Sequence, residues 1–278
     1  MTDHFDGDIG EACNVTVIVP LAGRATRARA ITGDQIPKSL IRLGNGQTVL
    51  EAMCCQLQGV GFRKFVFCVG HLKHRLMSQI VKETWIRDSA TTYVFDETDC
   101  LLGPSGTVLH AINTHNLTGQ ALAVAGDVML PWNNLADMNR WHASSHADVT
   151  IGVTSCVTER TGDIGKLVVE DRTNRLLSAH GRDSATPPLP PRARHLTAAA
   201  ANVFTVPRFS ELFTDYRRNN PQTHDQPLSL RDDVLPWAIV TGAYKLQAYD
   251  LQGETLDLGT PDTIRYGQLN WRRYLPVG

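Results

Sequence analysis

Long apolar runs, net charge and paired cysteines are all scarce in this chain. No apolar run approaches the roughly 20 residues that a membrane-spanning helix needs. The first 14 residues are acidic and polar, unlike a signal peptide. The formal net charge is −1 over 278 residues, whereas nucleic-acid binders usually carry a clear basic excess. We therefore expect a cytoplasmic protein that binds neither membrane nor nucleic acid, with residues 1–14 as a flexible tail.

The six cysteines contain no Cys-x-x-Cys pair, and the adjacent Cys54 and Cys55 would point in different directions from one helix. We expect them to be reduced thiols, as in a cytoplasmic protein. His142 and His146 have the i, i+4 spacing of zinc ligands on a helix, but no glutamate follows His142 and no third ligand is evident. The sequence therefore does not favour a zinc site.

Strand-length and helix-length apolar patterns alternate over residues 15–155. The predicted strands are Val15–Pro20, Lys64–Val69, Thr92–Phe95, Ala121–Val124 and Ala147–Val153. The predicted helices are Thr48–Gln58, Leu76–Trp85, Gly106–Asn113 and Leu135–Ser145. This β-α-β-α order predicts a parallel sheet with helices on both faces. Ligands of such sheets bind at the carboxyl ends of the strands.

The chain changes character after residue 155. A strand, a turn and a strand are predicted over residues 166–178, a proline-rich loop over 181–195 and a buried strand over 198–206. Helices are predicted at about residues 208–216, 230–240 and 260–269, and a hairpin pairs 244–249 with 253–258. The fold class is α/β: a Rossmann-like mixed, mostly parallel sheet flanked by helices, with a smaller β-rich part in the second half. We expect one domain over residues 1–278.

The stretch from Val15 to Ile41 carries the clearest functional pattern. An apolar run leads into the small-residue turn Ala22-Gly23, and three arginines and the pair Pro37-Lys38 follow. Small residues let backbone N–H groups approach an anion, and cationic side chains neutralise it. The stretch predicts a phosphate pocket at the end of a buried strand. It lacks the three-glycine spacing of a dinucleotide-binding unit.

Four blocks in order resemble the sugar-1-phosphate nucleotidylyltransferases. The first is Pro20–Arg27 followed by Pro37–Leu40, which is similar to that family's Gly-rich loop and Pro-Lys-Pro-Leu. Leu102–Gly106 resembles its base-contacting turn, and Ala125-Gly126-Asp127 resembles the strand end that bears its first metal-binding aspartate. Leu256–Pro261 resembles the block that bears the second aspartate. Together the blocks cover nearly the whole chain.

The resemblance implies that a sugar phosphate oxygen attacks the α-phosphorus of an NTP and expels pyrophosphate, with Mg²⁺ as cofactor. Both substrates are anions, so positioning and charge neutralisation supply most of the catalysis. The implied catalytic residues are Arg27 and Lys38, and the implied metal ligands are Asp127 and Asp257. The implied nucleotide-binding residues are Leu21, Ala22, Gly23, Arg24, Glu97, Gly103, Ser105 and Gly106. The implied sugar-phosphate-binding residues are Gly165, Arg182 and Asn202.

The implied division of labour places the nucleotide on residues 15–155 and the sugar phosphate on residues 156–278. The implied partners are an NTP and a sugar 1-phosphate, and family members often form dimers or tetramers. A carboxylate such as Glu97 accepts the two donors of a guanine edge, which favours GTP over UTP or dTTP.

Three departures from the family pattern concern the phosphate contacts. Ala25 stands where many members carry glycine, and Ser39 replaces the second proline of Pro-Lys-Pro-Leu. The Glu-Lys-Pro block that should follow the 165–178 segment is missing, and His180-Gly181-Arg182-Asp183 stands there. Family members bind the sugar phosphate through that lysine. Its candidate replacements are Arg182, or Arg192 or Arg194 from the proline-rich loop.

Several alternatives stay open at this level. Arg24 and Arg29 are equally consistent with solvated surface arginines, and Asn202 with a buried amide paired to the backbone. Asp127 is also consistent with a helix N-cap and Asp257 with a turn. The functional rivals are a non-catalytic sensor of the same fold, and a transferase that acts on a cyclitol phosphate or phosphocholine.

Overall fold

A nine-stranded mixed sheet with helices packed on it forms the centre of the protein. The computed structural model describes residues 14–82, 90–95, 102–155, 166–180 and 188–275. The strands are β1 (Thr16–Pro20), β2 (Lys64–Val69), β3 (Ala90–Phe95), β4 (Gln120–Val124), β5 (Val128–Met129), β6 (Val149–Thr154), β7 (Lys166–Glu170), β8 (Leu176–His180), β9 (Ala193–Thr205), β10 (Leu246–Asp250) and β11 (Leu256–Asp257). The α-helices are α1 (Arg29–Thr32), α2 (Val49–Gly59), α3 (Lys73–Ile80), α4 (Gly103–His115), α5 (Leu135–Ser145), α6 (Val206–Asn219), α7 (Leu235–Thr241) and α8 (Pro261–Leu269).

The main sheet follows the order β10-β6-β9-β4-β1-β2-β3. β1 pairs in parallel with β2 and β4, and β2 pairs in parallel with β3. β9 is antiparallel to both of its neighbours, β4 and β6, and it also pairs with β7, which in turn pairs with β8. The predicted fold class, a mostly parallel mixed sheet flanked by helices with a β-rich part in the second half, is confirmed.

Local sequence signals explain where several elements begin. Thr48 caps α2 in a capping box, because its hydroxyl accepts from the Glu51 N–H while the Glu51 carboxylate accepts from the Thr48 N–H. Thr260 caps α8 with Thr263 in the same reciprocal way. β1 is buried at its centre because the sheet lies between two apolar clusters. Such a continuous apolar run is typical of a central parallel strand.

The predicted hairpin of residues 244–249 with 253–258 is wrong. β10 pairs in parallel with β6 at the edge of the main sheet, whereas β11 pairs antiparallel with β5 in a separate two-stranded sheet. β10 buries Leu246 and Ala248, and β11 buries Leu256, so each strand meets a different apolar surface. The alternating pattern correctly predicted strands but not their partners.

Several other boundaries also differ from the prediction, among them the following. α4 begins at Gly103, so the Gly-Pro-Ser-Gly segment is its first turn rather than a separate turn. α3 covers Lys73–Ile80, and residues 83–89 lie outside the described part. β9 begins at Ala193, inside the predicted 181–195 loop. The predicted 230–240 helix opens with a π-helical segment, Leu230–Val234, before α7.

Within the described ranges, no helix has both the length and the apolar character to cross a membrane. Cys54, Cys55 and Cys68 are reduced thiols in the described part of the chain, as predicted, and Cys54 and Cys68 are buried. Burial raises the pKa of the Cys54 thiol well above its ordinary value.

Candidate functional site

A cavity of about 600 Å³ opens at the carboxyl ends of β1 and β4. The chain segments that follow these two strands, residues 20–23 and 125–127, both line it. Gly126 lets them pack closely, because a Cβ at this position would lie 2.3 Å from Leu21 Cδ2. The cavity therefore lies where a parallel sheet is expected to bind its ligand.

Residues 20–27 and 37–39 form one wall, which we call the loop wall. Leu21, Ala22 and Gly23 line the cavity, and Leu21 N–H bonds the Cys68 carbonyl of β2 at 2.8 Å. Ala25 adopts a left-handed conformation with φ 52° and ψ 32°. Alanine pays about 1–2 kcal/mol for this conformation, which glycine adopts freely.

Lys38 joins the loop wall to the segment after β4. Its ammonium group contacts the carboxylate of Asp127, and both side chains line the cavity. The Lys38 side chain is 16% exposed and that of Asp127 is 31% exposed. A lysine and an aspartate 89 residues apart are thus paired inside one cavity.

A second cation–acid pair lies beside the first. Arg27 Nη2 lies 3.7 Å from Asp257 Oδ2, and both residues line the cavity. A Cβ at Gly259 would lie 2.9 Å from Asp257 Oδ2 and 3.0 Å from Arg27 Nη2. Glycine at position 259 therefore leaves room for the carboxylate and the guanidinium to meet.

The small sheet explains why the two aspartates share the cavity despite their separation in the sequence. Asp257 is the register partner of Val128, the residue that follows Asp127. Leu258 N–H also donates to the Asp127 carbonyl at 3.0 Å. The pairing of β5 with β11 therefore brings the two predicted metal ligands, Asp127 and Asp257, to one place.

Two carboxylates on one cavity suit a hard divalent ion. Mg²⁺ is commonly held by one or two carboxylates together with substrate phosphates and waters. Across the described ranges, no group of three or more His, Cys, Asp or Glu side chains gathers into a metal site. The donors at Asp127 and Asp257 thus fit a Mg²⁺ ion that enters with a phosphate ligand, rather than a closed site built from protein alone.

A segment that sequence reasoning missed forms a second part of the cavity wall. Residues 227–232, which we call the strap, cross the start of α4. Leu228 N–H donates to the Leu102 carbonyl at 3.1 Å, and Ser105 N–H donates to the Leu228 carbonyl at 3.2 Å. Leu230 N–H donates to Ser105 Oγ at 2.6 Å. Four strap residues line the cavity: Ser229, Leu230, Arg231 and Asp232.

The predicted base-contacting turn, Leu102–Gly106, also contacts the strap. Gly103 lines the cavity with φ +75°, and a Cβ there would lie 2.7 Å from the Leu228 carbonyl oxygen. Ser105 also lines the cavity, while its hydroxyl accepts from the strap. Gly106 is buried outside the lining, where its Cβ would lie 3.0 Å from Leu102 Cβ. Gly103 and Ser105, which we predicted to contact the nucleotide, thus also contact the strap.

The remaining predicted residues are distributed as follows. Arg24 is exposed and outside the cavity lining, and Arg29 pairs with Asp34 at 2.6 Å on the surface. Asn202 on β9 is half-buried and lines the cavity. The other three predicted residues lie outside the described part of the chain: Glu97, Gly165 and Arg182.

Part of the cavity lining is apolar. Its residues come from β6, β7, β9, α6 and α7: Ile151, Leu167, Ala198, Phe204, Phe209 and Leu235. Arg192 and Arg194 are not part of the lining. Arg194 instead donates to Asp171 Oδ1 at 3.2 Å and to Asn174 Oδ1 at 2.7 Å, at the β7–β8 turn.

His142, the first histidine of the zinc-like spacing, has another environment. It is 1% exposed, with Nδ1 2.8 Å from Thr150 Oγ1 and Nε2 3.4 Å from Thr205 Oγ1. Burial lowers the pKa of His142 to about 4, although the nearby Asp148 opposes the shift. The ring is neutral at pH 7 and links α5 to β6 and to the end of β9.

Comparisons with known proteins show the fold and the family of the chain. The chain aligns with two solved structures over most of its length. It matches an inositol-1-phosphate CTP transferase from T. maritima with a TM-score of 0.67, at 17% identity and over 91% of both chains. It also matches HddC from Yersinia pseudotuberculosis complexed with GMP-PN, with a TM-score of 0.66, at 16% identity and over 92% of this chain and 99% of that one. These likenesses show a shared fold. Among curated proteins compared by sequence, none matches.

The family itself is shown by a match over more than half of the chain. Residues 17–211 match the MobA-like NTP transferase domain. This range contains the loop wall, Lys38 and Asp127, and it ends within α6. The chain belongs to the MobA-like NTP transferase domain family and is a nucleotidyltransferase, similar to the sugar-1-phosphate nucleotidylyltransferases.

Proposed function

We propose that the protein transfers a nucleotidyl group from an NTP to a sugar 1-phosphate, with release of pyrophosphate. One observation carries the proposal: Arg27, Lys38, Asp127 and Asp257 line a single cavity at the carboxyl end of the parallel strands. Two cations suit the phosphates of the substrates, and two carboxylates suit a divalent ion. The cavity volume is also in the range that small-molecule sites usually have.

In the proposed reaction, an oxygen of the acceptor phosphate attacks the α-phosphorus of the NTP. A new P–O bond forms there as the bond to the pyrophosphate oxygen breaks. Arg27 binds the triphosphate as a fork of donors, and Lys38 contacts the α-phosphate or the attacking phosphate. Because Lys38 now meets Asp127, and Arg27 meets Asp257, both cations exchange a carboxylate for a phosphate partner when substrate binds.

We further propose that Asp127 and Asp257 hold Mg²⁺, which offsets the charge of the phosphates when it is bound. The backbone of Ala22 and Gly23 would lie along the triphosphate, and a Cβ at Gly23 meets nothing within 4 Å. Residues 15–155 would hold the nucleotide and residues 156–278 the acceptor, with Asn202 offering an amide to an acceptor hydroxyl. The preference for GTP stays a prediction, since it depends on Glu97.

A cyclitol phosphate is the second candidate acceptor. The block that should carry the family's sugar-phosphate lysine is replaced by residues 180–183 in this chain. The fold also aligns with an inositol-1-phosphate CTP transferase over 91% of both chains. Two specific observations therefore support a cyclitol phosphate as an alternative to a hexose 1-phosphate.

An activity matrix tests both candidates. The full chain with Mg²⁺ is mixed with ATP, CTP, GTP, UTP or dTTP against glucose 1-phosphate, mannose 1-phosphate, inositol 1-phosphate or phosphocholine. We expect pyrophosphate release with a sugar 1-phosphate, and strongest release with GTP. Turnover with inositol 1-phosphate alone would replace the first candidate by the second.

Folded protein that releases no pyrophosphate in any mixture would contradict nucleotidyl transfer. Calorimetry with each NTP and Mg²⁺ then identifies the remaining alternative. Binding without turnover would indicate a sensor of the same fold.

A further inference from the structure

The strap brings a third cation to the cavity. Among the described residues, the lysine and arginine side chains that line it are Arg27, Lys38 and Arg231. Arg27 and Lys38 belong to the loop wall, whereas Arg231 lies at the start of the π-helical segment in the strap. Each of the three cations is paired with a carboxylate that also lines the cavity, and the proposed reaction brings two separate anions into it.

The guanidinium of Arg231 is held by its neighbour. Nε donates to Asp232 Oδ1 at 2.7 Å, and Nη2 donates to Asp232 Oδ2 at 2.8 Å. Asp232 is itself tied to the strap, because its N–H donates to Ser229 Oγ and its carboxylate accepts from the same hydroxyl. The Arg231 side chain is 29% exposed. A guanidinium has five N–H donors, and the fork to Asp232 engages two of them and fixes the orientation of the group.

The place of Arg231 in the fold matters as much as its charge. The π-helical segment and α7 both pack against β8, which ends at His180. This strand end is where the resemblance expects the Glu-Lys-Pro lysine that binds the sugar phosphate. Arg192 and Arg194 lie outside the cavity lining, and Arg194 is engaged at the β7–β8 turn.

We propose that Arg231 binds the phosphate of the acceptor and takes over the task of the missing lysine. This inference rests on the proposed function. Arginine recognises a phosphate through two parallel N–H···O bonds, which lysine cannot reproduce. Asp232 acts as a positioning residue, because its carboxylate fixes the orientation of the guanidinium.

The test compares Arg231→Ala and Arg231→Lys with Arg218→Ala. Arg218 is the matched control, since it also pairs with a nearby aspartate, Asp215, but lies exposed on α6. We expect Arg231→Ala to raise the KM for the acceptor at least about tenfold, the cost of one charge-assisted hydrogen bond, and to leave the KM for the NTP unchanged. Arg231→Lys should recover part of the loss, and Arg218→Ala should change neither constant.

The Asp232→Asn variant distinguishes the orientation of the Arg231 guanidinium from its charge. It keeps the shape of the side chain while weakening the hold on the guanidinium, so the acceptor KM should rise less than in Arg231→Ala. Thermal unfolding of each variant checks that the strap remains folded. An acceptor KM that Arg231→Ala leaves at the wild-type value would overturn the assignment, and so would an equal rise in both KM values.

The failure of the proposed function is a separate result. If wild-type protein turns over no pair of substrates, glucose 1-phosphate and inositol 1-phosphate are titrated directly by calorimetry. Binding that Arg231→Ala weakens and Arg218→Ala preserves would support Arg231 as a phosphate ligand even then. Binding that is absent, or equal in both variants, would reject it.

Discussion

The two walls of the cavity are built in opposite ways. The loop wall comes from residues 20–27 and 37–39, which follow one strand closely in the sequence. The strap is placed by two main-chain hydrogen bonds and one bond to the Ser105 hydroxyl, which join residues 228–230 to residues 102–105, about half the chain away. This difference shows that a motif search finds functional residues that are neighbours in the sequence. It does not find a part of the cavity wall whose residues meet only in the folded protein.

The largest expected effect tests whether the loop wall and its partner acids carry the chemistry. Replacing Asp127 by Asn should lower kcat by about a thousandfold, or about 4 kcal/mol, because the carboxylate that suits the ion is lost. Asp257→Asn should act similarly. Steady-state pyrophosphate release measures both.

Asp137→Asn is the control, since Asp137 is exposed on α5 and pairs with Arg140. It should keep wild-type turnover. Turnover by Asp127→Asn near the wild-type rate would contradict the metal assignment and move the chemistry away from the loop wall.

A smaller effect tests how the strap is seated. Gly103→Ala should lower the free energy of unfolding by about 3 kcal/mol, because it adds strain at φ +75° and a methyl group against the Leu228 carbonyl. Gly119→Ala is the matched control, with φ +74° and nothing within 4 Å of the added Cβ. It should cost about 1 kcal/mol. Urea unfolding measures the free energy of unfolding of both variants. Equal losses of stability would mean that the strap moves to accommodate the added methyl group at little cost.

The smallest expected effect concerns His142, which lies outside the cavity lining and links α5 to β6 and β9. His142 titrates at about 4 in the folded protein and near 6.5 when unfolded, so the unfolded state binds more protons between these values. The stabilisation is complete above pH 6.5 and is lost as the pH falls towards 4. Unfolding free energy should therefore drop by about 2 kcal/mol between pH 7 and pH 5 on account of this one group.

Urea unfolding at the two pH values measures this drop. His142→Gln should remove that part of the pH dependence. Replacing the exposed His224 by Gln should leave it intact. A wild-type slope that persists in His142→Gln would assign the effect to other groups.

The order of elements in the first half was predictable because each pattern is local. β2 and α5 have the predicted bounds, since an apolar run or an amphipathic stretch marks both ends. The partners of β10 and β11 were not predictable. Their alternating apolar residues indicate that one face of each strand is buried. The pattern does not indicate which surface that face packs against.

The candidate site also has a part that was predictable from the sequence and a part that was not. The blocks around Lys38, Asp127 and Asp257 were recognisable because family motifs keep them contiguous. The strap carries no phosphate-binding pattern, and the available signal was the spacing of Ser229 and Asp232, which resembles a helix cap. The sequence analysis predicted a helix at about residues 230–240 but no cavity wall, because the contacts to residues 102–105 are not encoded nearby.

β9 also limits how the protein can move. This 13-residue strand is hydrogen-bonded to β6 on one side and to β4 and β7 on the other. Bending the halves apart like a hinge would break these ladders, whose bonds open together and not singly. The strands under the cavity therefore hold both halves of the chain in one rigid platform.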